Sequence, residues 1–268
     1  MSYAVETVAD SWEFLAKLAD KSVDVVITDP PFPENVQANM LSGSKIKRFA
    51  EAGGGGAVPR RELDFPPLPP PDPVHGYTWV RDFVRVARRW VIVKCAVESF
   101  GEFKRAAPEA FVRGGLWHRP NAMGQVTKDR PAAMCEGLAV MHDTTVRKRW
   151  NGEGSYNIWS CNHTGSETRG TPYERHPNQM PLPLCLKLVA LFSEPGETIL
   201  DPFCGSGRIG EAAVMLGRNY IGLDASVKWV RIAFDRIEAA AQAWTTPMAD
   251  ADALELCRAR RADITEDG

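Results

Sequence analysis

The sequence predicts a doubly wound α/β domain with a mostly parallel sheet and helices on both faces. Three observations lead there: two apolar, β-branched runs that each end in Asp-Pro, a glycine-rich turn directly after the second run, and an acid closing the strand that follows it. Strand, glycine turn, helix, strand and acid, in that order, make a nucleotide-binding βαβ unit.

The first run is Val23-Asp24-Val25-Val26-Ile27-Thr28, continuous enough for a strand buried on both faces, and it ends at Asp29-Pro30-Pro31-Phe32. From Leu41 to Pro73 the chain carries four consecutive glycines and a proline-rich stretch. Such a composition packs no core, so a mobile insertion is expected over about 41–75. The α/β alternation then resumes, with a helix from Tyr77 to Arg89, a strand at Val91 to Val93, a helix from Phe100 to Ala107, and strands at Phe111 to Trp117 and Gly137 to Met141. The second run, Glu197 to Leu200, ends at Asp201-Pro202-Phe203-Cys204-Gly205-Ser206-Gly207. A helix from Arg208 to Leu216 and a strand from Tyr220 to Leu223, closed by Asp224, complete the unit. With 268 residues the chain suits one large domain, placed at 1–244, and a partly ordered tail at 245–268.

Composition narrows the function classes. The net charge is -2, so the chain as a whole carries no nucleic-acid signature. The distribution says more: Arg81 to Arg175 holds sixteen Lys/Arg against ten Asp/Glu, and the segment from Trp244 holds six acids against three bases. A basic middle and an acidic end fit one DNA-facing side. Six cysteines lie far apart without a C-x-x-C pair, which suggests neither a zinc site nor a disulfide framework. The histidines lack metal-ligand spacing, and no metal is expected. No apolar run reaches the ~20 residues of a membrane span, and the N-terminus has no signal-peptide pattern, so a cytoplasmic protein without a membrane partner is expected.

Two motifs carry chemistry. The backbone from Asp201 to Gly207 can turn sharply and approach a ligand because Gly205 and Gly207 have no Cβ. Pro202, Phe203 and Ser206 belong to the same turn, and Asp224 stands where a strand-end acid accepts from ribose hydroxyls. A pyrophosphate cofactor is disfavoured because Asp201 puts a carboxylate where phosphate would sit, whereas a sulfonium and an amino acid tolerate it. Taken alone, the turn is weak evidence, since some such turns are plain strand-to-helix connections.

In Asp29-Pro30-Pro31-Phe32, the Asp29 carboxylate and the Pro30 carbonyl can both accept from one exocyclic amine. That bias towards tetrahedral nitrogen stabilises the positive charge developing on an otherwise poor nucleophile. Pro30 and Pro31 stiffen the loop, and Phe32 offers a face on which an extruded base can stack. Taken alone, it reads equally well as a proline-rich strand-end turn.

Together, Asp-Pro-Pro-Phe and Asp-Pro-Phe-Cys-Gly-Ser-Gly resemble the amino-group DNA methyltransferases, in the β-class order with the catalytic motif first. The resemblance extends to Val8-Ala9-Asp10, His176 to Pro181, Pro195-Gly196-Glu197 and Leu216-Gly217-Arg218. It implies a Rossmann-like methyltransferase fold, S-adenosylmethionine as cofactor, and a contact between Asp10 and the cofactor's adenine. Phe32 stands where the family usually has tyrosine, Met180 where it has lysine, and Ala9 where it has glycine. Looser similarity to phage-type members lies in Gly115-Leu116-Trp117, Thr127 to Pro131 and Lys148 to Gly152.

The expected activity is methylation of N6 of adenine in double-stranded DNA, as in a restriction–modification enzyme, with homodimer formation allowed. N4-cytosine methylation is the near alternative, although serine is commoner than Asp29 there. RNA or protein-glutamine methylation, where asparagine is usual at that position, and a non-catalytic DNA-binding protein are further ones. Arg147-Lys148-Arg149-Trp150 is expected to grip phosphate and stack on a base. Its structural alternative is a solvated face. The lack of a Pro-Cys dipeptide argues against cytosine-C5 chemistry.

Overall fold

Eight strands form one sheet in the order β1-β8-β7-β2-β3-β5-β4-β6 in a computed structural model, which describes residues 2–8, 10–31, 68–122, 124, 131–162, 173, 176 and 179–255. The elements in chain order are β1 (Tyr3–Thr7), α1 (Ser11–Lys17), β2 (Val25–Thr28), α2 (Val80–Val86), β3 (Trp90–Cys95), α3 (Phe100–Ala106), β4 (Phe111–His118), β5 (Cys135–His142), β6 (Ile158–Ser160), α4 (Leu182–Phe192), β7 (Thr198–Asp201), α5 (Arg208–Met215), β8 (Asn219–Asp224) and α6 (Val227–Ala243). Strands β1, β8, β7, β2 and β3 run parallel, and β5 enters antiparallel beside β3.

Period-two alternation decides which helices cover which face. Val25, Ile27, Trp90, Ile92, Leu138 and Val140 pack under α4, α5 and α6. Val23, Val26, Val91, Val93, Ala139 and Met141 pack under α1, α2 and α3. Helices therefore lie on both faces, as the sequence predicts, and β2 and β3 are buried along their whole length. Helix α4 is buried at eight of its eleven residues, which explains its nearly continuous apolar sequence. Among the described residues no helix is long and apolar enough to cross a membrane.

The two Asp-Pro strands are direct neighbours. Val25 and Val26 pair with Ile199 and Leu200, so both runs release their carboxyl ends at the same place on the sheet, where clefts form in open α/β folds.

At the opposite end, Arg89 sets a bidentate pair on Glu197 at 2.6 and 2.8 Å, joining the starts of β3 and β7. Arg218, fully buried, binds both oxygens of Asp250 at 2.6 and 2.8 Å. Ala253 is buried as well, so residues 245–255 fold back onto the domain beyond the boundary expected at 244. Of the insertion expected over 41–75, residues 41–67 lie outside the described residues. Its last part is packed, with Leu68 buried and Asp72 and Gly76 exchanging backbone hydrogen bonds.

Candidate active site

Four loops converge at the carboxyl ends of β1, β8, β7 and β2. The loop after β1 ends in Asp10, which caps α1 by accepting from the Trp12 amide at 2.8 Å. Ser11 then donates its hydroxyl to the Pro202 carbonyl at 2.8 Å, fastening α1 to the loop after β7. The Trp12 ring meets the Phe203 ring edge-on at 5.6 Å, and the Val8 amide donates to the Asp224 carbonyl at 3.1 Å. Asp10, Pro202, Phe203 and Asp224 are thereby brought together.

The glycine turn has the conformation its composition predicts. Gly205 and Gly207 have φ of 48° and 78°, where a side chain is strained. At Gly207 a Cβ would stand 2.7 Å from the Cβ of Ala233 on α6, so the turn and that helix touch through the missing side chain. Asp224 holds the turn from the other side, accepting from the Gly205 amide and the Ser226 amide at 2.9 Å each. Burial raises its carboxyl above the ordinary range while the two amides pull it down.

Asp201 is almost wholly buried. One oxygen accepts from the Thr28 hydroxyl at 2.7 Å and the Phe203 amide at 3.3 Å, and the other accepts from the Tyr220 hydroxyl at 3.2 Å. Burial nevertheless lifts its pKa to about 7. Ser206 donates to Gln179 at 2.8 Å, and the buried Arg236 donates to the Ser206 carbonyl at 2.7 Å. Desolvation lowers the Arg236 guanidinium to about 10.

Asp29 lies across this cleft at the end of β2, followed by the buried Pro30 and half-buried Pro31. Its two oxygens stand 3.1 and 3.0 Å from the Lys94 ammonium of β3. Burial, offset by Lys94 and reinforced by the Glu136 charge, brings Asp29 to about 6. Phe32 lies outside the described residues.

Residues the sequence reading passed over complete the site. Lys94 and Glu136 form an ion pair at 2.8 Å. The signal for Lys94 was available, since it is the one charge in the run Trp-Val-Ile-Val-Lys-Cys and falls on the same face as Trp90 and Ile92. His176, Gln179, Met180 and Arg208 also line the cleft. Met180 is 5% exposed and joins the core, an apolar role that suits methionine where the family usually has lysine.

The basic cluster lies apart from the cleft. The Arg149 carbonyl accepts from the Trp90 indole at 2.7 Å, at the start of β3, whereas Lys94 near the end of that strand meets Asp29. A six-residue strand spans about 17 Å, so Arg147, Lys148 and Arg149 sit at the far end of the sheet from the cleft. They are exposed, while the half-buried Trp150 packs with its ring 6.4 Å from Phe192.

The site can be tested against the cofactor expected from the sequence. A glycine cradle and acids at the ends of β1 and β8 fit a nucleoside whose hydroxyls and amine donate hydrogen bonds. Among the described residues no group of His, Cys, Asp or Glu could hold a metal ion.

Residues 117–235 match the family model described as DNA methylase, covering N6 and N4 enzymes. The chain is 26% identical over 253 residues to the Type II methyltransferase M2.DpnII of Streptococcus pneumoniae, a match spanning 86% of this chain and 88% of that protein. Among solved structures, the M1.HpyAVI–SAM complex aligns with a TM-score of 0.60 at 18% identity, over 88% of this chain and 98% of that one. The cytosine-N4-specific PvuII DNA methyltransferase aligns with a TM-score of 0.61 at 16% identity, over 96% and 92%. At these identities the two structures bear on the fold.

Proposed function

We infer that this chain is an S-adenosylmethionine-dependent amino-group DNA methyltransferase, and we propose that it methylates N6 of adenine. The observation that carries the reading is the placement of Asp29 and the Gly205–Gly207 turn on adjacent parallel strands, facing one cleft. The cofactor supplies an electrophilic methyl group. Asp10 and Asp224 hold its adenine and ribose by accepting from their N–H and O–H groups, and the turn from Pro202 to Gly207 provides the backbone on which it lies. Asp201 works indirectly, by keeping the loop after β7 in register with β2.

The base enters beside Asp29. Each carboxylate oxygen retains a lone pair after meeting Lys94, so Asp29 and the Pro30 carbonyl accept the two amine hydrogens. As charge builds on nitrogen Asp29 stabilises it, and then takes the departing proton on a carboxylate oxygen. Pro31 limits the freedom of the loop, and Phe32 stacks on the base. Double-stranded DNA is the partner. A homodimer would cover the free edge of β6, where Tyr156 and Ile158 are 85% and 53% exposed.

Incubating the protein with duplex DNA and cofactor, then identifying methylated nucleosides by mass spectrometry, tests the reading. N6-methyladenine supports it. N4-methylcytosine alone would overturn the base and keep the mechanism. Absence of any methylated base would overturn the activity.

A further inference from the structure

We propose that Lys94 is a positioning residue of the methyl-transfer site, orienting the Asp29 carboxylate and keeping it ionised, and that Glu136, clamped by Arg119, holds Lys94 in place. The inference rests on the amino-group methyltransferase reading of Asp29.

An ammonium inside a sheet needs a reason. Lys94 is 4% exposed, and the face it shares with Trp90 and Ile92 is otherwise apolar core. Desolvating such a charge costs several kcal/mol, and an apolar residue of similar length often replaces a buried ion pair without loss of stability. Stability therefore gives a weak account of this lysine, and its neighbours give a better one. Its nitrogen stands 3.0 Å from an Asp29 oxygen and 2.8 Å from Glu136 Oε2. Glu136 Oε1 in turn stands 2.8 Å from Arg119 at the end of β4. Asp29, Lys94, Glu136 and Arg119 thus form a row of alternating charges that sums to zero and ends in the cleft.

The groups facing Asp29 explain why the row is needed. Lys94 approaches from β3, Glu136 from β5, and Asp201 from β7; the Cys95 thiol also lies within electrostatic range and is held neutral by burial. Without Lys94, Asp29 would share the site with two further carboxyls, and Arg119 is bound to Glu136 rather than to Asp29. Burial already places Asp29 at about 6 with Lys94 present. Losing the cation would protonate it at neutral pH. A protonated carboxyl offers a hydrogen where the amine needs an acceptor, and it cannot take up the proton that leaves. Two N–O approaches of nearly equal length also fix the carboxylate plane relative to the cleft, a constraint that a single contact would not impose.

The test is a titration of the full-length protein labelled with 13C at aspartate carboxyls, the Asp29 resonance being assigned by its loss in Asp29→Asn. Lys94→Gln is expected to raise the Asp29 midpoint by about 1 to 3 units. The acidic limb of the methylation rate should move up with it, so that part of the lost rate returns at high pH. Glu136→Gln, which removes a carboxylate and leaves Lys94 to Asp29, should move the midpoint down. If Lys94→Gln does not fold, the pair Lys94→Gln with Glu136→Gln removes one charge of each sign and should still show a smaller upward move. An unmoved midpoint, or a rate lost evenly at all pH with the wild-type limb, would overturn the role of Lys94. A wild-type enzyme that methylates no DNA would overturn the reading of Asp29 itself, whatever the titration gives.

Discussion

The Thr28 hydroxyl donates to the Asp201 carboxylate at 2.7 Å, so the residue before Asp29 is fastened to the first residue of the glycine turn. Cofactor and base are thereby held on one rigid junction rather than on two loops that move separately, as methyl transfer requires of reacting groups.

Asp29→Ala is expected to abolish methylation and leave cofactor affinity within about twofold, because Asp29 acts on the base. Its pH dependence follows from its sign. The carboxylate is needed in its charged form, and its pKa is raised to about 6, so the rate should fall as pH drops through 6 and level off above 7. Single-turnover rates on duplex DNA from pH 5 to 8, together with calorimetric titration of the cofactor, check both parts. A rate independent of pH across that range would remove Asp29 from the reaction.

Asp224→Ala should weaken cofactor binding by about 1.5–3 kcal/mol through loss of a charge-assisted hydrogen bond. It should also lower the melting temperature, because Asp224 anchors Gly205 and the start of α6. Calorimetry and thermal denaturation report the two effects independently. Unchanged affinity would place the ribose elsewhere.

Gly207→Ala is expected to cost roughly 1–3 kcal/mol of stability, since it forces a side chain into a left-handed conformation and against Ala233. Urea denaturation measures it. Adding Ala233→Gly should recover only part of the steric loss, because the Ala233 Cα would still stand 2.8 Å from the new side chain, and it should leave the backbone share.

The folded protein holds Asp201 at about 7, above its unfolded value, so the folded state takes up this proton more readily. The group's contribution to stability is therefore largest at acid pH and is lost as pH rises towards and through 7. Asp201→Asn cannot ionise, so its stability relative to wild type should improve as pH rises from about 4 to 7 and level off above that. Parallel denaturation curves would show the expectation to be wrong if the difference stayed constant.

Neutralising Arg147, Lys148 and Arg149 together should leave the slope of log affinity for DNA against log salt nearly unchanged, because the cluster sits at the far end of the sheet. A slope falling by about 0.9 per charge removed would show that DNA reaches that end.

The parallel half of the fold was legible because burial on both faces demands β-branched runs, and those at Val25–Thr28 and Thr198–Asp201 have no competing pattern. β1 and β6 escaped notice. Tyr3–Thr7 carries three charges or hydroxyls on an exposed edge, and Ile158–Ser160 is three residues long, so neither shows a period. The glycine turn and Asp29 were visible as local motifs. Lys94 showed only as a lone charge in an apolar strand, and its link to Glu136 and Arg119 was hidden, because what unites them is pairing between β3, β5 and β4 across the sheet. The place of the basic cluster was hidden for the same reason: charge density is local, whereas the end of the sheet that a loop occupies depends on strand direction.

The strand order has a consequence for biosynthesis. Among the described residues β1 pairs with β8 alone, with Tyr3 beside Tyr220, and β2 waits for β7 to complete its second flank. A chain emerging from the ribosome can pair β2 with β3 early, but β2 gains its second neighbour only when residue 201 is free, and β1 gains its partner only when residue 224 is. Pairings so remote in sequence form late and slowly. Until α4 and α5 have emerged, the face of β2 and β3 that carries Val25, Ile27, Trp90 and Ile92 lacks its cover, so a chain terminated before them should expose that face and have no methylating capacity.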